Sequence, residues 1–281
     1  MSGNAPAFLT QPAPARGVAI EVWSGIRRIV ADNPGPMTYH GTNTYFIDRP
    51  NGVVLVDPGP DDDRHVQAIL REAVGPIYLI LLSHTHRDHL GAVAAVRAAT
   101  GAPVAAWHVP SESSFVPDIG LRDGEEVEGC VAVHTPGHAA DHVCFATYAG
   151  EDSAVLFSAD HVMSWSSSIV SPPDGDMAAY FASLRRLLGR GDDVYLPGHG
   201  PPLPSPRGLV QQLLDHRIAR EAAVLATLEA APLEIGAITA VVYAGAPAAV
   251  RPMAERNVLA HLLKLLGDGA VVRDGTAWRR A

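Results

Sequence analysis

Cysteine and lysine are nearly missing from this chain. Two cysteines, Cys130 and Cys144, and one lysine, Lys264, occur in 281 residues. Both cysteines fall in apolar, strand-like runs, which argues against a disulfide framework or a thiolate metal site and predicts buried free thiols. No run of about 18 consecutive apolar residues occurs, so no membrane-spanning helix and no membrane partner are expected. Residues 1–17 carry four Pro or Gly before Arg16 and no apolar h-region, so a secretory leader is not expected, the location is expected to be cytoplasmic, and the stretch is read as a flexible or loosely docked arm. The net charge of −9 is the wrong sign for a chain built around phosphate backbones. The apolar fraction of 47% is ordinary for a globular protein, and the length allows two domains.

What the chain does have is histidine in one place. The run Ile77 to Leu82 is short, apolar and branched, and follows Gly75-Pro76; it predicts a buried strand. Immediately after it come His84, His86, Asp88 and His89, then Ala- and Val-rich residues from Gly91 to Ala99 that predict a helix. Four potential ligands therefore sit on a strand-to-helix turn. His84 and His86 are two apart, so an extended backbone points them to one side. Asp88 and His89 follow once the chain has turned, and so face a second point. That arrangement predicts two adjacent metal positions, and imidazole with carboxylate suits zinc, iron or manganese.

One turn supplies too few ligands for two metals. Three later stretches repeat the order of apolar strand, small residues and ligand: Val131 to His138, Ala154 to Asp160, and Asp193 to His199, with Pro-Gly forcing a turn before each of the two histidines. His108 and His161 are not read as ligands. His142, entering the strand after His138, is a candidate substrate contact or a partner of a ligand.

These residues resemble the metallo-β-lactamase fold hydrolases over about residues 20 to 200. The resemblance rests on His84-Thr85-His86-Arg87-Asp88-His89, His138, Asp160 and His199, with Asp57 in Leu55-Val56-Asp57-Pro58-Gly59. It implies an α/β, four-layer αββα sandwich with the metals at one edge of two sheets. It implies one metal on His84, His86 and His138, a second on Asp88, His89 and His199, Asp160 bridging them, and Asp57 supporting the ligand loops. It also implies that the loop Asp32 to Gly41, with Tyr39, overhangs the metals, and the loop Met163 to Asp176, with Trp165, walls the cleft; both aromatics are expected substrate contacts.

The Pro-rich stretch Pro201 to Pro206 is expected to separate a catalytic domain, 1–204, from a second domain, 205–281, with Ser205 capping the next helix and Pro206 at its first position. Three helical stretches and a terminal Asp274-Gly275 hairpin predict a small winged-helix-like module. It holds nine Arg or Lys against seven Asp or Glu and shows no basic stripe, so it is expected to pack on the catalytic domain rather than read DNA. With His216-Arg217-Ile218-Ala219-Arg220-Glu221, the arrangement is most similar to the β-lactamase-like-2 branch, whose animal members are described as single-strand ribonucleases. The spacing from Asp160 to His199 leaves no room for an inserted nucleic-acid-clamping domain.

The expectation is a dinuclear hydrolase with two divalent ions, most simply Zn²⁺, with Fe or Mn as alternatives. A metal-bound hydroxide would attack an ester, thioester, lactone or phosphodiester, single-stranded RNA among them, and Asp88 would ligate, orient the nucleophile and accept its proton. Asp160 argues against antibiotic hydrolysis, because true β-lactamases of this fold generally lack that bridging carboxylate. Competing expectations are a glyoxalase II-like thioesterase, a di-iron redox protein, and a metal-sensing or DNA-binding regulator acting through the C-terminal module. Expected partners are a small molecule or a short single-stranded nucleic acid as substrate, and a second copy of the chain in a homodimer.

Overall fold

A computed structural model describes residues 6–150, 153–229 and 231–281. The first sheet runs in chain order: β1 (Ile20–Trp23), β2 (Ile26–Val30), β3 (Asn43–Arg49), β4 (Gly52–Val56), β5 (Ile77–Leu81), β6 (Val104–Trp107) and β7 (Ile119–Leu121). The early pairs are antiparallel hairpins, whereas β4 to β7 are parallel and joined by crossovers containing α1 (Asp63–Glu72), then α2 (Arg87–Leu90) and α3 (Val93–Thr100). The second sheet has the order β13-β12-β11-β10-β9-β8. Its strands are β8 (Glu126–Val127), β9 (Cys130–His134), β10 (Val143–Ala149), β11 (Ser153–Ala159), β12 (Val194–Pro197) and β13 (Leu203–Pro204), with α4 (Met177–Leu188) between β11 and β12.

Alternation along the strands explains the layers. Tyr45 and Ile47 of β3, Val54 and Val56 of β4, and Leu79 and Leu81 of β5 meet Val143, Phe145, Val155 and Phe157 of the second sheet in one core between the sheets. The intervening residues, Phe46, Leu55 and Ile80, point outward onto Val66, Ile69 and Val96 of the first helical layer. Cys144 and Leu156 point the other way, onto Tyr180, Phe181 and Leu184 of α4. Strands buried on both faces read as continuous apolar runs, which is why they are visible in the sequence. The result is the expected αββα sandwich, and both cysteines are buried and free.

The Pro-rich boundary is less sharp than expected. Helix α5 (Arg207–Thr227) packs its first half, through Leu209, Val210 and Leu213, on α4 and the second sheet, while Val224 joins the core of the C-terminal domain. A division within α5 fits this packing better than one at 204/205. Ser205 does not cap the helix: it has φ +51°, donates its N–H to the Asp193 carbonyl at 2.8 Å, and leaves Pro206 at the N-cap. The C-terminal core joins α6 (Ile235–Val242) and α7 (Arg251–Gly267) to a small sheet of β14 (Leu233–Glu234), β15 (Val271–Asp274) and β16 (Ala277–Arg280), around Val258, Leu262 and the buried Trp278.

Two edge elements carry weak sequence signals. The residues of β1 are half exposed at the sheet edge and lack a clean alternation. The acidic stretch Leu121 to Glu128 contributes the two-residue β8. Of the two expectations for the N-terminal arm, residues 6–17 follow the docked one: Leu9 N–H donates to Ser164 O at 2.8 Å, Gln11 O accepts from the Tyr39 hydroxyl at 3.2 Å, and Arg16 donates to Ala31 O at 2.6 Å. The first five residues of that arm lie outside the described residues.

Candidate metal centre

Seven side chains converge where the two sheets meet at one edge. His84 follows β5, His86 is the residue before α2, and Asp88 and His89 lie in its single turn. His138 follows β9, Asp160 follows β11 and His199 follows β12. All leave the carboxyl ends of their strands.

The hydrogen bonds fix which nitrogen of each ring faces inward. Ser83 Oγ gives its proton to Asp57 Oδ2 at 2.7 Å, so it accepts from His84 Nδ1 at 3.0 Å and leaves His84 Nε2 bare. The Asp174 carboxylate takes His86 Nε2–H at 3.3 Å, leaving Nδ1 bare. The Ile169 carbonyl takes His138 Nδ1–H at 2.7 Å, Asp57 takes His89 Nδ1–H at 2.8 Å, and Gly41 O takes His199 Nδ1–H at 3.3 Å. Every ring therefore offers a lone pair to the centre, with its tautomer set by an acceptor behind it.

These lone pairs test whether the residues suit metals. His86 Nδ1 lies 3.0 Å from both His84 Nε2 and His138 Nε2. Three acceptors facing one another have no reason to converge without a cation among them. Ligand bonds of about 2.0–2.1 Å at tetrahedral angles put nitrogens about 3.3 Å apart, close to this spacing. The second group is His89 Nε2, His199 Nε2 and Asp88 Oδ2, the last lying 3.2 Å from His199. Asp160 stands between: Oδ2 is 3.6 Å from His138 Nε2, and Oδ1 is 3.4 Å from His199 Nε2. His89 Nε2 and Asp160 Oδ1 are buried without a protein hydrogen-bond partner, as ligand atoms would be. The donor set fits two divalent ions.

The electrostatics of the protein alone agree. Burial pushes His84 and His138 down, and neighbouring rings add to this, so both stay neutral. Burial also opposes charge on His199, but Asp160 and Asp88 outweigh it and raise its pKa to about 9. Burial would raise Asp88 and Asp160, yet the His89 and His199 side chains hold both carboxyls ionised. Metal binding must displace the protons on the second group.

The support behind the ligands is as ordered as the ligands. Asp57, at φ +51°, also accepts from Ser83 N–H at 2.8 Å, so one carboxylate holds the turn and two rings. Asn43 Nδ2 donates to Pro197 O and Gly200 O, and Tyr45 to Pro197 O at 2.7 Å, pinning the His199 loop. Gly198 passes so close that a Cβ would lie 2.4 Å from Asp160 Oδ1 and 2.7 Å from His89 Cε1. Asp174, which sequence reasoning missed, is also held by Ser111 Oγ at 2.7 Å and Ala140 N–H at 3.1 Å. No local pattern marks it; only folding brings residue 174 to His86.

Above the centre lies a cavity of about 650 Å³, with Met37, Met163, Ile169, Pro172 and Met253 on its walls. Of the expected substrate contacts, His142 is corrected: it is fully buried, bonds to Thr135 Oγ1 at 2.9 Å and stands behind His84, out of reach of the cleft. Tyr39 and Trp165 stack at 4.9 Å between centroids. They stand one layer outside the cavity wall, with Trp165 lining a smaller recess beside it. The C-terminal domain was expected to pack on the catalytic part, and it does so by supplying Pro252, Met253 and Arg256 to the cleft.

Comparison with known proteins decides the family. Residues 37–108 match the model of the metallo-beta-lactamase superfamily, and residues 235–278 match the beta-lactamase associated winged helix domain. The Beta-lactamase-like protein 2 homolog of Drosophila melanogaster is 31% identical, over 88% of this chain and 89% of its own. The chain belongs to the metallo-β-lactamase superfamily. It is thus a hydrolase of a fold that generally binds divalent metals. An atrochrysone carboxyl ACP thioesterase of Aspergillus chevalieri is 31% identical over 72% of this metallo-β-lactamase family chain, which spans 65% of that enzyme's length. Among solved structures, a beta-lactamase domain protein from Burkholderia ambifaria superposes with a TM-score of 0.81 over 95% of both chains at 23% identity. Another, solved in a di-iron-bound form, gives 0.53 at 29% identity over 68% of this chain and 96% of its own. Among the described residues, no helix is long and apolar enough to cross a membrane.

Proposed function

We propose that this protein is a dinuclear metal-dependent hydrolase of acyl thioesters or esters. The observation that carries the reading is the set of five imidazole lone pairs and two carboxylates converging in two groups under an apolar cleft. His84, His86 and His138 would hold one ion, Asp88, His89 and His199 the other, with Asp160 shared between them. A pair of divalent ions in such a site supplies Lewis acidity and lowers the pKa of water toward neutrality. Both carboxylates of the set line the cavity, and Asp88 is the more open, with 30% of its side chain accessible against 10% for Asp160, so it can orient the attacking water and accept its proton. Zinc suits the ligands, and iron or manganese suits them nearly as well.

The cleft supports an acyl substrate. Seven apolar side chains on its walls match an aliphatic or aromatic acyl group, whereas single-stranded RNA would need a track of cations and stacking platforms. Relatives named as thioesterases favour the same chemistry. The test is a metal count together with side-by-side assays of a thioester, a lactone and single-stranded RNA. About two ions per chain and thioester turnover are expected; RNA cleavage without thioester turnover would overturn the acyl reading.

A further inference from the structure

We propose that Arg256, reaching the cleft from the C-terminal domain, is an anion-binding specificity residue. The substrate is then an amphipathic acyl compound whose charged group lies at the end remote from the scissile bond. This rests on the hydrolase reading above.

Arg256 stands on α7 and lines the same cavity as His86, His138 and His199. Its Nε donates to Ser171 Oγ at 2.8 Å, which anchors the side chain, and among the described residues its terminal nitrogens have no protein partner. Several guanidiniums elsewhere on the molecule are paired with carboxylates: Arg27 with Asp48, Arg186 with Asp123, Arg190 with Asp192. An anchored guanidinium with free fork donors on the wall of an apolar cavity is a ready receptor for a carboxylate or a phosphate.

The position of the anion follows from the layout of the cavity. His138, His199, Asp88 and Asp160 line its inner end as proposed ligands, so the metals and the scissile carbonyl occupy that part. Two arginines line the cavity, Arg87 in the ligand turn and Arg256 at the exposed rim on the other domain; of the two, Arg256 is the one held by a side-chain hydrogen bond among the described residues. Between that rim and the proposed ligands lie Met163, Ile169 and Met253, which take the apolar segment. A charged head, an apolar middle and a carbonyl at the metals describe either an acyl chain ending in carboxylate or an acyl group on a phosphate-bearing thiol arm.

The test uses the full-length, metal-loaded protein. Binding of octanesulfonate, a poor metal ligand, is compared with that of octanol by calorimetry. The sulfonate should bind at least about tenfold more tightly, Arg256→Gln should remove that preference, and Arg279→Gln on the terminal hairpin should retain it. Equal binding of the two probes to the native protein, or equal weakening of both by Arg256→Gln, overturns the proposal. In parallel, kcat/KM is measured for a neutral thioester, the same acyl chain ending in carboxylate, and the same acyl group on a phosphorylated thiol. The favoured arm identifies the source of the anion, and its advantage should vanish in Arg256→Gln; an advantage that survives the substitution overturns the proposal. If no thioester is turned over while sulfonate binding still depends on Arg256, the hydrolase reading fails and the anion site stands.

Discussion

The metal centre and the junction that roofs it are both built from buried polar groups, but on opposite principles. At the centre, the second nitrogen of each ring is satisfied from behind so that the front nitrogen stays free. At the junction, the polar groups are turned on one another. The fully buried Arg217 donates to Asn257 Oδ1 at 3.1 Å and to Ser168 O, and stacks over Tyr180. Asn257 Oδ1 also accepts from Val170 N–H at 3.1 Å, so α5 and α7 together hold the 163–176 loop that forms the cleft wall. At the centre the unpaired buried atoms, His89 Nε2 and Asp160 Oδ1, face one another across the ligand set; at the junction Arg217 directs its terminal nitrogens at partners and leaves Nε unpaired.

The largest expected effect comes from breaking the centre. His84→Ala or Asp88→Asn should lower kcat/KM by about 10³-fold or more, equivalent to about 4 kcal/mol of transition-state stabilisation. Metal analysis should show a reduced ion count while circular dichroism stays native. Activity within tenfold of the native enzyme in either variant would contradict the ligand assignment.

A histidine outside the centre offers the contrast. His65 on α1 is buried against Thr44 Oγ1 at 3.0 Å, and burial lowers its pKa to about 4. Its folded pKa lies below the unfolded one, so the unfolded chain binds the proton more readily. That contribution is full above about pH 6.5 and is lost as the pH falls toward 4, to a total of about 3 kcal/mol. His65→Gln should flatten this part of the stability profile, measured by urea unfolding between pH 4 and 7. An unchanged slope would show that His65 is not the titrating group.

The difference between the two regions also explains what the sequence discloses. Six of the seven proposed ligands come from short local signals, either the packed turn at His84–His89 or a Pro-Gly-His at a strand end, because a ligand must sit where a strand stops. Asp57 follows a strand too, but its supporting role comes from the family resemblance. Asp174, Met253 and Arg256 carry no such mark; a wall is defined by which distant loop lands on it. His142 misleads because closeness in sequence to His138 places it one strand position behind the site, on the buried side. The double-sided apolar strands reveal the sandwich, whereas the half-exposed β1 and the short β8 lack periodicity to read.

Arg217→Met sharpens the junction half of the comparison. It removes two hydrogen bonds to a buried charge but also the cost of burying that charge, so the net loss should be about 2–3 kcal/mol. Because the 163–176 loop loses its anchor, KM should rise more than kcat falls. A variant as stable as the native protein would show that the α5–α7 contacts rest on apolar packing alone.

The smallest effect belongs to the layer behind the ligands, where Asp57→Asn separates orientation from coordination. Asp57 touches no ion in the proposed arrangement, yet its two oxygens hold Ser83 N–H, Ser83 Oγ and His89 Nδ1. An amide of the same shape keeps one acceptor and turns the other into a donor. It cannot satisfy both Ser83 and the His89 ring, so His89 Nε2 is freed to take the proton and lose its lone pair. Removing such a partner costs about 10–100-fold in metal affinity, or roughly 1.4–2.7 kcal/mol. The loss should fall on the ion held by Asp88, His89 and His199, since His84 retains its contact with Ser83. Titration with a competing chelator should therefore resolve one weakened site and one nearly native site; equal weakening of both would mean that Asp57 supports the whole turn rather than the His89 ring.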